Sequence, residues 1–342
     1  MITSRRALIT SASATALAAA LAACSQDVPT NTAATGTATP QPVLDSERLT
    51  MILERIQAGL DAADKDKNAD ALAGYLTGPA ARVRGEEYAV AKATADDTFV
   101  HVFNTTSQAG TVALAADFPR TVLTITDFAD DEQGYLLALT QDSARENYQL
   151  WGWTQFFAGV EIPSTYAPAI GTEQLAADDS SDLKASPQDV LAAYVDALNN
   201  PEGDNGKAFA DDVLRQRIAA ERAVDLSEAG EVSVTAEAGS DGFKSLRTAD
   251  GGVITMTTLS FSTVYKKTVA GSTLSLADST VGSLMGDNQE VVGTVTAKYD
   301  VIVAFLIPAA DADATATALG MDLVLASVSR DDSQAPAEDA RD

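Results

Sequence analysis

The stretch EVVGTVTAKYDVIVAFLI, residues 290–307, carries the clearest structural pattern in this chain. Apolar side chains recur at every second position, which is the period of a β-strand with one buried face. We therefore expect one long strand here, flanked by other strands that continue the sheet. The residues that share the apolar face are Val291, Val295, Ala297, Tyr299, Val301, Val303 and Phe305.

Each half of the chain opens with the pattern of an amphipathic helix. In the first half, apolar residues recur three and four positions apart, at Leu49, Ile52, Leu53, Ile56 and Leu60. In the second half, Ser186 supplies an N-cap and Pro187 a favoured first helical residue. The apolar face that follows them consists of Val190, Leu191, Tyr194, Val195 and Leu198.

Strand patterns follow the helices in both halves. In the first half they are TFVHVFN (98–104), RTVLTIT (120–126), YLLALTQ (135–141) and YQLWGWTQFF (148–157). In the second half they are EVSVTAEA, VITMTTLSFSTVY, STLSLA, the long strand and LVLASVS. Helices before strands, twice over, predict an α+β protein whose N-terminal helices pack on one face of a mostly antiparallel sheet.

Composition divides the chain into folded halves and polar connections. We expect a signal peptide at 1–23, a flexible tether rich in Thr, Ala and Pro at 24–42, and a first α+β domain at 43–166. An acidic linker at 167–185 would lead to a second α+β domain at 186–330 and a disordered tail at 331–342. RVRGEEYAV (82–90) and RQRIAAERAV (215–224) are similar, which suggests a diverged internal duplication.

The N-terminus has the features of a lipoprotein signal. MITSRR carries two arginines and no acid, and the next 17 residues carry no charge. LAAC (21–24) resembles the lipobox of bacterial lipoproteins, which predicts cleavage after Ala23 and a diacylglycerol thioether on Cys24. The alternative is an ordinary signal followed by an unrelated cysteine. SRRAL (4–8) partly resembles a twin-arginine signal, so the choice between that export route and the Sec route stays open.

Charge and cysteine content exclude some classes of protein. The formal net charge is −26, and removal of the two signal arginines makes the mature chain more acidic still. Such a surface repels nucleic acid, so we expect no nucleic-acid partner. Cys24 is the only cysteine, so no disulfide stabilises the fold. We expect a membrane association through the lipid on Cys24, on the extracytoplasmic face of the cell membrane.

The segment ENYQLWGWTQFFAGVEIPST (146–165), together with the lipobox, the tether and the two halves, resembles a family of actinobacterial lipoproteins with an uncharacterised tandem domain. The order of helices and strands resembles the nuclear-transport-factor-2-like cone fold. This resemblance implies two tandem cones, each with helices over a curved sheet and a pocket between them. It implies no activity, cofactor or catalytic residue.

Aromatic residues of the predicted fourth strand are the candidate ligand site. Trp151 and Trp153 are the only tryptophans, and both fall on one face of that strand, near Tyr148. Core packing explains them without a ligand. The alternative is that they form the wall of a pocket for an apolar or sugar-like ligand.

Single residues give little support for catalysis or metal binding. His101 is the only histidine, and it lies between two valines of a predicted strand, where packing explains it. One histidine and one lipidated cysteine leave no soft ligand cluster, so we predict no metal site and no cofactor. Asp64, Asp66 and Asn68 begin like a calcium loop, but Ala69 stands where the turn glycine belongs. Ser181 and Lys184 have a serine-enzyme spacing but lack its companion motifs.

These observations favour a lipid-anchored cell-envelope protein that binds an envelope ligand or a partner protein. The alternative is an enzyme, a lyase or isomerase, with its active site in a cone pocket and a buried Asp or Glu as the acid–base group.

Overall fold

The computed structural model describes residues 40–115, 117–127 and 134–337. The expected signal peptide, Cys24 and all but the end of the tether lie outside the described residues. Residues 338–342 of the expected tail do so too. Among the described residues, no helix has both the length and the apolar character needed to cross a membrane.

Six α-helices occur in the described part of the chain. They are α1 (Ser46–Asp66), α2 (Gly78–Thr94), α3 (Pro187–Asn199), α4 (Asp204–Ala208), α5 (Val213–Arg222) and α6 (Thr280–Met285).

The two predicted amphipathic helices begin at side-chain caps. Asp45 accepts a hydrogen bond from the backbone N–H of Arg48 at the start of α1, and Ser186 accepts one from Asp189 at the start of α3. Pro187 occupies the first turn of α3, where its missing N–H costs nothing. The predicted apolar faces are largely buried, so both helices direct these faces toward the core.

The described residues contain nine strands, which make one sheet. They are β1 (Ser107–Val112), β2 (Arg120–Thr126), β3 (Tyr135–Gln141), β4 (Gln149–Phe156), β5 (Gly230–Ala238), β6 (Lys244–Arg247), β7 (Val253–Lys267), β8 (Thr294–Ile307) and β9 (Thr317–Asp331). The order across the sheet is β1-β2-β3-β4-β9-β8-β7-β5, and β6 pairs with β7 beyond the end of β5.

The prediction of two tandem cone-like domains is wrong. The sheet of the first half continues into the sheet of the second, because β4 pairs with β9 through Gln155 with Met321 and Phe156 with Gly320. A Cβ at Gly320 would collide with the carbonyl oxygen of Gln155, so only glycine allows the two backbones to approach there. The described residues from 40 to 337 accordingly form one compact unit.

The central strand β8 is covered on both faces at its C-terminal end. On one face, Phe305 meets Tyr194 of α3, with ring centroids 5.1 Å apart. On the other, Ile302 lies against β4, since a Cβ at Gly152 would be 3.3 Å from Cγ2 of Ile302 and 2.8 Å from Sδ of Met256. Strand β4 therefore packs on one face of β8. Because both faces of β8 are covered here, its residues are buried on both sides, although the sequence alternation predicts one buried face.

Two strand predictions fail for local reasons. TFVHVFN (98–104) begins in a 3₁₀ turn, Asp97–Phe99, and continues without regular structure. Asp96 starts that turn by accepting a hydrogen bond from the N–H of Thr98. STLSLA (272–277) is irregular apart from one bridge, Ser275 to Glu290. Conversely, strands β1 and β6 were not predicted, because they carry too few apolar residues to show the two-residue apolar period of a strand.

The expected linker, 167–185, is attached to both halves. Isolated bridges join Thr172 to Ala113, Gln174 to Leu246 and Leu183 to Ala309. Thr172, Leu175 and Leu183 are buried. This segment therefore contacts both halves through a few buried residues, while most of its acidic side chains are exposed, as its composition predicts.

Candidate functional site

A groove of about 530 Å³ opens between the end of β4, the start of α5 and the connection from β8 to β9. Its size is within the range of small-molecule sites. The lining residues are Phe157, Ala158, Gly159, Val160, Glu161, Ala210, Asp211, Asp212, Val213, Gln216, Leu306, Pro308, Ala314, Thr315, Thr317, Ala318 and Leu319.

The groove combines an apolar floor with an acidic edge. Pro308 and Leu319 are buried beneath it, while Glu161 and Asp211 are exposed. Among the described residues that line it, none is basic. The groove thus presents negative charge beside apolar surface, which suits a ligand with an apolar body and a positive group.

Asp212 is the half-buried acid of the groove. Its carboxylate begins α5 by accepting a hydrogen bond from the N–H of Arg215 at 2.9 Å, and it accepts another from the Tyr194 hydroxyl at 2.8 Å. Burial raises the pKa of Asp212, although these hydrogen bonds oppose the shift. The Tyr194 ring is held between Phe209 and Phe305, so the position of Asp212 is fixed by core packing.

A second cluster lies away from the groove and surrounds the single histidine. Nδ1 of His101 is 2.7 Å from Oε1 of Glu87 on α2 and 3.2 Å from Oδ2 of Asp322 on β9. The Glu87 and Asp322 side chains are 0% and 2% exposed, whereas the His101 side chain is 40% exposed. The imidazole therefore closes the outer side of a pair of buried carboxylates.

Neighbouring side chains hold both carboxylates in place. Arg84 donates to Oε2 of Glu87 at 2.6 Å and to the carbonyl of His101 at 2.8 Å. The indole N–H of Trp153 donates to Oδ2 of Asp322 at 2.6 Å. The Arg84 guanidinium also lies over the rings of Trp153 and Phe103, which shields it from water.

This surrounding sets the protonation of the cluster. Hydrogen bonds to Asp322 and Glu87 raise the pKa of His101 to about 10, more than offsetting the effect of burial. Burial raises the pKa of Glu87, against the hydrogen bond from His101 and the charge of Arg84. At neutral pH the imidazole is therefore a cation that donates to carboxylates and is unsuited to act as a general base.

A third group of charges joins α2 to the second half of the sheet. Arg82 donates from Nε to Asp300 at 2.6 Å and from its two terminal nitrogens to Asp241 at 3.0 and 2.8 Å. Beside it, burial, followed by the charge of Asp300, raises the pKa of Glu86 to about 8. Oε2 of Glu86 is buried without a hydrogen-bond partner.

The three aromatic residues predicted to form a pocket are buried and do not line the groove. Trp151 packs against Gly78, with Nζ of Lys244 5.4 Å from its ring centroid. Trp153 belongs to the His101 cluster, and Tyr148 is buried at the start of β4. A β-bulge at this part of β4 separates the environments of the two tryptophans, which simple strand alternation would place together.

Residues of the rejected motifs have structural partners. Asp64 accepts a hydrogen bond from the hydroxyl of Tyr88 at 2.5 Å and lies within helix α1, and Asn68 caps the next 3₁₀ turn. The carbonyl of Ser181 accepts a hydrogen bond from Arg247. Neither the calcium-loop spacing nor the serine-enzyme spacing therefore corresponds to an assembled site.

The predicted absence of a metal site rested on a count of histidines and cysteines. The fold brings the one histidine to two distant carboxylates, and the three ligand atoms lie within 4.8 Å of one another. The sequence did not predict this cluster because its members are far apart in the chain. Asp322, for example, is 169 residues from Trp153, the side chain that donates a hydrogen bond to it. The only local signal was the spacing of Arg84 and Glu87, which is right for an ion pair on one face of a helix.

Comparison of the chain with protein-family models, curated proteins and solved structures finds no match. The functional argument therefore rests on the geometry of the groove and of the clusters described above.

Proposed function

We propose that this protein is a lipoprotein of the cell envelope that binds a small ligand in the groove between β4, α5 and the β8–β9 connection. The ligand has an apolar body and a positively charged group. The observation that carries this proposal is the combination of an apolar floor with three acids and no lining base among the described residues. Half-buried Asp212, with its raised pKa, adds support, since such groups concentrate at functional sites.

The location follows from the N-terminal sequence. LAAC (21–24) supplies the thiol that a diacylglycerol anchor requires, and the Thr- and Pro-rich tether to residue 42 would carry the folded unit away from the lipid surface. The strongly acidic mature chain would be repelled by anionic headgroups, which favours a tethered protein over one that lies on the membrane.

Three phenylalkyl compounds that differ in charge test the groove. The full-length chain in detergent micelles is dialysed to equilibrium against 4-phenylbutylamine, 4-phenylbutanol or 4-phenylbutyrate, with protein-free micelles as the blank. We expect the amine to bind best and the carboxylate worst. Equal binding of all three, or binding of none, would contradict the proposal.

Substitutions at the edge of the groove locate the binding. Asp211→Asn and Glu161→Gln remove exposed charges, and each should weaken amine binding roughly two- to fivefold. Thr317→Trp should fill the groove and abolish binding. Glu54→Gln and Asp61→Asn are the matched controls, since both are exposed acids on α1 and lie outside the groove. Weakening by the controls to the same extent would indicate a general charge effect.

A lyase or isomerase remains the second proposal, because Asp212 is an acid of raised pKa on a groove. Its location differs from the earlier expectation, since the cone pocket does not exist. In the test, the amine and its analogues are recovered after incubation with the protein and analysed by NMR for chemical change. Chemical change that requires Asp212, and that Asp212→Asn abolishes without loss of binding, would place catalysis above simple binding.

The anchor is tested by Cys24→Ala. We expect the variant to accumulate as uncleaved precursor or to appear in the medium, because no other cysteine is present to accept the lipid. Membrane fractionation and the mass of the mature N-terminus measure the effect. A variant that is processed and fractionates like the wild-type chain would contradict the lipoprotein assignment.

A further inference from the structure

We propose that His101, Glu87 and Asp322 bind a divalent first-row transition-metal ion, with Nδ1 and one carboxylate oxygen from each acid as ligands. This site is separate from the ligand groove, and it replaces the sequence-based prediction that the chain has no metal centre.

The spacing of the three groups suits an ion. Nδ1 of His101 is 2.7 Å from Oε1 of Glu87 and 3.2 Å from Oδ2 of Asp322. Ligands bound at about 2.0–2.2 Å from zinc stand roughly 3.0–3.5 Å apart in octahedral or tetrahedral arrangements. Small rotations of these side chains would therefore bring all three atoms to bonding distance of one ion.

The elements that carry the ligands are held by the fold. Glu87 lies on α2, Asp322 lies on β9, and His101 follows the 3₁₀ turn Asp97–Phe99. The two carboxylates are buried, while the part-exposed imidazole leaves a path by which an ion can enter. Three ligands and an open side are the arrangement of metal sites that keep a position for water.

Outer hydrogen bonds of the kind that support metal ligands are already in place. Arg84 donates to the far oxygen of Glu87, and the Trp153 indole donates to Asp322. Such donors fix the orientation of ligating carboxylates. The arrangement thus resembles a ligand set with its supporting donors, and a simple surface ion pair has no need of them.

One atom of the cluster has no role in the hydrogen-bond network. Oδ1 of Asp322 is buried and has no hydrogen-bond partner, in a side chain that is 2% exposed. Buried carboxylate oxygens without donors are rare, and each calls for an explanation such as an ion. An ion at the cluster would give this oxygen a partner that the described side chains do not supply.

Charge balance points the same way. Three carboxylates, Asp64, Glu87 and Asp322, face two cations, Arg84 and the His101 imidazolium. A divalent ion that binds Nδ1 and releases its proton to water brings this group from one net negative charge to zero. The mixture of one imidazole and two carboxylates favours zinc, cobalt, iron or manganese over calcium, which prefers oxygen ligands alone.

Zinc itself is the probe for the test. The full-length chain, purified in detergent without a histidine tag and dialysed against chelator, is titrated with Zn²⁺ by calorimetry. We expect one zinc ion per chain. His101→Gln and Asp322→Asn should each weaken binding at least tenfold, and Trp153→Phe should weaken it less. Glu86→Gln is the matched control, since it removes the neighbouring acid on α2 and should leave zinc affinity unchanged.

A spectroscopic measurement covers the case in which a variant fails to fold. His101 is the only histidine, so the wild-type chain gives a single set of imidazole ¹⁵N and ¹H signals. Zinc should shift the Nδ1 signal of the wild-type chain in proportion to occupancy. An unmoved imidazole signal at saturating zinc, no zinc uptake, or equal uptake by a folded His101→Gln variant would overturn the proposal and leave a buried ion pair in its place.

Discussion

Helices α2 and α5 carry the same Arg-x-Arg pattern followed by an acid, yet they use it differently. In α2, Arg84 is 1% exposed and pairs with buried Glu87. In α5, Arg217 is 48% exposed and pairs with Glu221, whose side chain is 9% exposed, so only the arginine end of this pair faces water. The first arginines differ as well, since Arg82 reaches two acids of the other half while Arg215 donates to nearby backbone carbonyls.

The difference teaches that burial, and not the spacing of charges, decides what an ion pair does. An exposed pair is screened by water and contributes little to stability. In a buried pair each charge compensates the other, so removal of one partner leaves an unpaired charge in the low-dielectric interior. Helix α2 lies between the two halves of the sheet and contacts β4 and β9, whereas the Arg217 side of α5 faces water.

The largest effect should follow Arg84→Met. The substitution keeps the apolar stem but leaves buried Glu87 with only the part-exposed imidazole of His101 as a cation, and we expect a loss of about 3 kcal/mol in the free energy of unfolding. Urea denaturation followed by circular dichroism measures it. The double variant Arg84→Met with Glu87→Gln should recover part of the loss. A loss below about 1 kcal/mol in the single variant would show that the buried pair contributes no more to stability than an exposed pair does.

Arg82→Met should have the next largest effect. It removes the hydrogen bonds to Asp241 and Asp300, which are both mostly buried, and we expect a loss of about 2 kcal/mol. Arg48→Met is the matched control, because its pairing with Asp45 is exposed at both ends. Equal denaturation midpoints for the two variants would contradict the view that Arg82 fastens α2 to the second half.

Glu86 should make stability depend on pH. Burial raises the pKa of its carboxyl from 4.5 to about 8, so the folded chain holds this proton over a range in which the unfolded chain has released it. Stability therefore falls as pH rises from about 4.5 to about 8. Because the group is partly solvated, we expect this contribution to be on the order of 1–2 kcal/mol.

Glu86→Gln isolates that contribution. The difference in unfolding free energy between the wild-type chain and the variant should change with pH across this window and level off at either side. Urea midpoints measured from pH 5 to pH 9 provide the comparison. A pH-independent difference would mean that Glu86 is ionised in the folded protein throughout.

The smallest effect should follow Arg217→Met. Its guanidinium is half-exposed, and Glu221 keeps a hydrogen bond from the hydroxyl of Thr263. We expect a loss within about 1 kcal/mol, reduced further at high salt. A loss as large as that of Arg84→Met would remove the distinction between the two helices on which these predictions rest.

The same comparison shows what the sequence can predict. The two amphipathic helices and the long strands were predictable, because apolar period reports which side chains face a core. Period does not report which strands pair, so the junction of β4 with β9 was missed. Gly320 was the available signal, since a glycine within a strand marks a close approach of backbones.

The site was less predictable than the fold. The three acids of the groove come from two segments, at residue 161 and at residues 211–212, and no spacing relates these segments before the chain is folded. His101 looked like a packing residue because its neighbours are apolar, yet its position after a 3₁₀ turn directs it to Glu87 and Asp322. Identifying such a cluster requires the contact between halves, which local sequence does not encode.

The hydrogen bond from Trp153 to Asp322 has a consequence for the order of folding. Its two residues are separated by 169 positions, so the donor is synthesised long before its acceptor. Closing so long a loop is entropically costly and slows the step that depends on it. Strands β1 to β4 have local hairpin partners and can assemble early, but β4 must wait for β9 to complete its edge. Until then the edge of an incomplete sheet is left open, which makes the half-made chain the stage at which aggregation and proteolysis compete with folding.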